Sequence, residues 1–191
     1  MTDAAGSDAA RPDAAGPDAS TRAAIARARE LLADAVTTLR ASGARDETLA
    51  EYVAERRVLG LPRAARMAPA TRVWRLGVLL LAADGRLFAT GRVVRAERAV
   101  RRSVIAESVA EQRAYRAAAV KGGIAEGSTV NFDARPIDLD ELGRTAASGP
   151  LLLRDGGVLV RWNPSQPDML TPLDRYLADR VELLAAPPSG A

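Results

Sequence analysis

Residues 73–94 read VWRLGVLLLAADGRLFATGRVV, and this stretch decides the fold class. Read as a strand with period two, it puts Trp74, Leu76, Val78 and Leu80 on one face. The opposite face is apolar only towards its end. Asp84-Gly85 has the chemistry of a hairpin turn, so Leu87 to Val94 is expected to return as a second strand. A second hairpin is read from Leu151–Leu153 and Val158–Trp162 around Asp155-Gly156-Gly157, and a short strand around Thr129 to Phe132. Two hairpins predict a mostly antiparallel sheet of four or five strands. The first is nearly apolar on both sides where it is richest, so helices must cover at least one face. The expected class is α+β, with about four helices against that sheet.

The helices are read from their periodicity. Ile25, Ala28, Leu32, Ala35, Val36 and Leu39 follow at helical spacing behind Ser20 or Thr21 as cap, with Gly43 as the stop. Leu49, Tyr52, Val53 and Val58 suggest a second helix from about Asp46 to Gly60, antiparallel to the first. A third is expected from Glu97 to Val120, with Val100, Val104, Ile105 and Val109 as its apolar stripe. A helical turn near Leu142 follows. Thr171-Pro172 reads as the start of a last helix carrying Leu173, Tyr176, Leu177, Val181 and Leu184 inward.

The first twenty residues repeat Asp every fifth position among Ala, Gly and Pro, with nothing large to bury after Met1. Such a segment cannot offset the entropy of ordering. Residues 1–20 are therefore expected to be a disordered tail, 21–186 a single domain, and 187–191 a disordered C-terminus. The absence of a basic-then-apolar leader and of any apolar run long enough for a bilayer predicts a soluble cytoplasmic protein with no membrane partner.

The chain has no Cys and no His, and 40 Ala and 26 Arg against a single lysine, Lys121. Disulfides, thiolate nucleophiles, Ser-His-Asp catalysis and metal sites built on His or Cys are thereby excluded. No cofactor and no metal are expected. Charge is unevenly spread: Arg56 to Arg116 holds 14 Arg against 4 acids, between acidic ends. Arg92, Arg95, Arg98, Arg101 and Arg102 form the cluster singled out for phosphates of nucleic acid or an acidic protein partner, with a solvated face as the plain alternative.

Two other constellations invite chemistry. Lys121-Gly122-Gly123 leads through Glu126 towards Asn131, a small-residue loop able to approach an anion. It follows a helix instead of preceding one, so the same residues also read as a helix terminus. Lys121, Gly122, Gly123, Glu126 and Asn131 are the candidate ligand- or anion-binding residues. Asp133, Asp138, Asp140 and Glu141 form the densest carboxylate group, which also reads as the acidic start of a short helix.

The stretches VWRLGVLLLAADGRLFATGRVVRAE, KGGIAEGSTVNF and GVLVRWNP resemble a group of short proteins of high-GC Gram-positive bacteria, some labelled glutaminase. The resemblance covers about residues 50–185. It implies an amide hydrolase but carries over no site residue. Serine-type glutaminases pair a Ser with a Lys three residues later, and here Ala118 stands in that place before Lys121. A non-catalytic cytosolic binding or interaction domain is the leading expectation. The glutaminase-like hydrolase and phosphate or nucleic-acid binding through the Arg-rich middle are the alternatives.

Overall fold

The computed structural model describes residues 18–58, 61–98, 107–163, 165–166 and 168–187. Most of the N-terminal repeat, the residues after 187, and the expected positions Val100, Arg101, Arg102, Val104 and Ile105 lie outside the described residues. The protein is α+β, with four helices among the described residues.

Helix α1 (Ala19–Ala41) is capped by Asp18, whose carboxylate accepts from the Thr21 N–H at 2.7 Å. Strand β1 (Glu47–Val53) follows where a helix was expected. The segment 46–58 instead forms β1 and β2 (Arg56–Val58), the outgoing side of a long hairpin, and 59–60 lie outside the described residues. Its return is β3 (Leu61–Arg63) and β4 (Arg66–Leu76). Leu49, Tyr52 and Val53 also suit a strand packed on both faces, and pairing with β4 settles the choice.

The run 73–81 is not one strand. It turns at Gly77-Val78, so β4 pairs antiparallel with β5 (Leu79–Ala82), Leu76 opposite Leu79 and Trp74 opposite Leu81. The turn reverses the parity after residue 77. Leu80 therefore faces away from Trp74 and Leu76, and Val78 is only half-buried at the turn. The Asp84-Gly85 turn leads into β6 (Leu87–Ala89), and after Thr90-Gly91 comes β7 (Arg92–Arg95).

Helix α2 (Glu107–Lys121) begins later than expected; Ala96 to Arg98 is irregular. Val109 is exposed, because Tyr115, Ala118 and Ala119 form the face that meets the sheet. Then come β8 (Thr129–Phe132), β9 (Arg135–Ile137) and α3 (Leu139–Thr145). A four-stranded antiparallel sheet follows, made of β10 (Ala147–Ser148), β11 (Leu151–Arg154), β12 (Gly157–Arg161) and β13 (Leu170–Pro172). The second hairpin thus belongs to a separate sheet from the first. The chain closes with α4 (Leu173–Ala185), which starts one residue later than the Thr-Pro cap predicts.

The larger sheet runs β7-β8-β1-β4-β5-β6-β9. Laid flat, β6 and β7 would stand five strand spacings apart, about 24 Å. Only Thr90 and Gly91 join them, a reach of about 11 Å. The same holds for β8 and β9 across Asp133 and Ala134. The sheet therefore rolls into a barrel of five continuous strands, two of them bent. One register runs through both halves of the bent pair: Leu87 with Ile137, Ala89 with Arg135, Arg92 with Phe132, Arg95 with Thr129. At the bend a side chain on Gly91 would strike the main chain of Phe132 and Asp133.

Five strands in a ring cannot alternate direction all the way round. The one parallel pair, β1 with β8, is the seam. Leu49, Val73, Leu80 and Ala82 are buried in the interior, with Phe88 and Ala134 partly buried against them. Outside, α1, α4 and the smaller sheet pack on Trp74, Leu76, Leu79 and Leu81. Helix α2 packs on Ala50, Met67, Val130 and Phe132.

Candidate functional site

The β1–β4 hairpin outgrows the barrel. Val53 pairs with Arg66 at the rim, and the same register continues outward through Arg56 with Arg63, Arg57 with Pro62 and Val58 with Leu61. Among the described residues, strands β2 and β3 pair with each other and with no other strand. Six residues a side give an arm about 20 Å long. Its base is buttressed by an aromatic stack, Tyr52 edge-on to Tyr115 at 4.9 Å and Tyr115 against Phe132 at 4.9 Å.

Residues 54–66 contain four arginines, Arg56, Arg57, Arg63 and Arg66, against one acid, Glu55. All five are exposed, and none forms an ion pair among the described residues. Arg56 and Arg63 stand directly opposite each other across the ribbon. Like charges so placed repel, which an anion bound between them would relieve. A cavity of about 260 Å³ at the foot of the arm is lined by Val53, Ala54, Arg56, Arg63, Ala64 and Arg66.

Of the arginines singled out from sequence, Arg92 and Arg98 are engaged by acids, and Arg101 and Arg102 lie outside the described residues. Arg92 lies 4.4 Å from the Tyr115 ring centroid and donates to Glu111 at 3.1 Å and to the Tyr115 hydroxyl at 2.9 Å. The hydrogen bond from Arg92 holds the Glu111 carboxyl below its ordinary range, and Glu111 in turn pushes the Tyr115 phenol up. Arg98 pairs with Glu126 at 3.3 Å. Of this cluster only Arg95 is described without an acidic partner. The charge count over 56–116 included the arm, but reading 46–60 as a helix concealed the ribbon that gathers it.

Lys121, Glu126 and Asn131 form no hydrogen bond or ion pair with one another. Lys121 ends α2 exposed, Gly122 presses on the main chain of Met67, and Gly123 takes a left-handed conformation that terminates the helix. This small-residue loop is a helix stop and a close-packing point. The carboxylates also diverge: Asp138 caps α3, Asp140 pairs with Arg29 at 2.6 Å, and Glu141 accepts from Ser148. No group of three or more Asp or Glu side chains among the described residues is placed to hold a metal ion.

Asn131 has a different role. Glu47 lies opposite Val73, Arg75 opposite Leu80 and Asn131 opposite Leu49, so all three point to the interior face. The Asn131 amide donates to Glu47 at 2.7 Å and its oxygen accepts from Arg75, while Arg75 and Glu47 pair at 3.1 Å. This polar triad ties β1, β4 and β8 together at the seam. Glu47 and Arg75 were not singled out from sequence, since nothing local links them to Asn131.

Compared with known proteins, the chain matches no family model, no curated protein and no solved structure. Among the described residues no helix is long and apolar enough to cross a membrane.

Proposed function

We propose that this protein is a non-catalytic binding domain that holds a phosphate-rich polyanion on its arginine arm. The observation that carries the reading is the pairing of Arg56 with Arg63 on an exposed ribbon, with Arg57 and Arg66 beside them and no ion pair to any of the four. Guanidinium groups match phosphate oxygens in a planar fork, and cross-strand pairing sets the four side chains at fixed register on one ribbon. The aromatic stack at the foot supports the arm on the barrel.

The test is binding to labelled oligonucleotides and to polyphosphate across a salt series. Four phosphate contacts on duplex DNA give a log–log slope near −3.6, or about a hundredfold loss between 50 and 200 mM salt. The double variant Arg56→Ala/Arg63→Ala should reduce that slope by about two and leave the melting temperature unchanged. Wild-type affinity and slope in the double variant would overturn the reading. The hydrolase alternative rests on the resemblance alone, and purified protein is expected to release no ammonia from glutamine. Release that is lost in Lys121→Arg would instead support it.

A further inference from the structure

We infer that the polyanion is duplex DNA, and that the arm enters its minor groove with Leu61 and Pro62 as an apolar wedge. This rests on the arginine arm being the binding element. Near its tip the ribbon changes character. Leu61 is the most exposed large apolar side chain among the described residues, at 70%, and Pro62 beside it is also exposed. This apolar pair, held about 20 Å from the body, stays exposed beside the arginines among the described residues. Strand parity puts Leu61 on the same face as Arg56 and Arg63, and Pro62 on the face of Arg57. On the first face Arg56 and Arg63 stand nearer the body than Leu61, and on the second Pro62 lies level with Arg57, directly across the ribbon.

That combination of cations and apolar side chains matches what a bent duplex requires. Arginines bind phosphates and the negative potential of the narrow groove, while an apolar side chain pushed between base pairs unstacks one step and opens the groove. Single strands fit less well. Residues 54–66 contain no aromatic side chain, so the arm offers no ring on which free bases could stack. A-form RNA fits poorly as well, since its minor groove is already wide and shallow and gives a wedge little to open. Polyphosphate would satisfy the arginines but leave Leu61 and Pro62 unused.

The experiment uses the full chain and a 20-base-pair DNA duplex carrying a fluorescence-transfer pair at its ends. The wild type is expected to bring the ends closer, to be displaced by the minor-groove ligand netropsin and not by the major-groove ligand methyl green, and to prefer the duplex about tenfold over its single strand. Leu61→Ser/Pro62→Ala should keep affinity within about threefold, because the phosphate contacts remain, yet lose most of the change in transfer. Both positions are exposed, and an unchanged circular dichroism melt checks that the variant is folded. Absence of bending, indifference to netropsin, or equal affinity for single strand and polyphosphate would overturn the inference. If Arg56→Ala/Arg63→Ala still weakened binding in that case, the arginine arm would stand as the polyanion site without the wedge. If it did not, both readings would fall.

Discussion

Replacing Asn131 by Ala tests whether the polar seam holds the barrel closed. Asn131 is 1% exposed, and it sits between two charged partners. Hydrogen bonds to charged groups contribute about 1.5–3 kcal/mol each, so losing two gives about 3–6 kcal/mol. Two things reduce that figure. The Glu47 and Arg75 side chains keep 21% and 29% of their exposure, so water reaches them, and their own ion pair survives. We expect a loss of about 3 kcal/mol, or about 6–12 °C in melting temperature for a domain of this size. Urea unfolding followed by tryptophan fluorescence, with Trp74 buried against α1, reads the change directly. Asn131→Asp is the control for volume. It keeps the shape but turns a donor into an acceptor facing Glu47, so at neutral pH it should lose at least as much. A loss below about 1 kcal/mol in both variants would refute the reasoning and leave the apolar interior as what holds β1 to β8.

Leu76→Ala and Leu80→Ala should each cost about 2–5 kcal/mol in the same assay, although they empty different clusters. Val78→Ala, at the half-buried turn, should cost no more than about 1 kcal/mol. Gly122→Ala places a methyl group against the Met67 carbonyl and should destabilise by about 1–3 kcal/mol as α2 is pushed off β4. Acid should weaken the fold through Asp46 and Asp18. Their carboxyls are held low chiefly by the Arg72 side chain and the Thr21 backbone amide respectively. Depressed carboxyls add stability above their unfolded value, about 4, and lose it as pH falls through the folded value. Urea midpoints should therefore fall below about pH 4, and less steeply in Asp46→Asn.

The class and most of the helices were legible because their signals are local. The spacing of Ile25 to Leu39 and the Gly-containing turn at 155–157 each state a structure within fifteen residues. The segment 46–58 was misread because Leu49, Tyr52 and Val53 satisfy helical and extended spacing equally well. Only pairing with residues 66–73 separates the two. The turn at Gly77-Val78 was hidden for another reason. Both faces of that stretch are apolar, so a reversal of parity leaves no mark in the pattern. The same limit applied to sites. Asn131 stood out, but its partner Glu47 lies 84 residues away and becomes visible only when the ring closes. The arm was present as four arginines and absent as a shape.

The parallel seam also sets an order of events during folding. The meander β4-β5-β6 joins neighbours across two- to four-residue turns, and β1 and β4 pair through a register that continues into β2 and β3. The seam pairs Thr48 with Val130 and must wait for α2 and everything between them to be in place. Loop-closure entropy makes such distant pairings late and slow. Until then Leu49, Val73 and Leu80 line an open, curved trough with unpaired strand edges at both sides. Chains meeting in that state can pair with one another instead of with themselves. Recovery on refolding should therefore decline as protein concentration rises, set by how quickly β8 reaches β1.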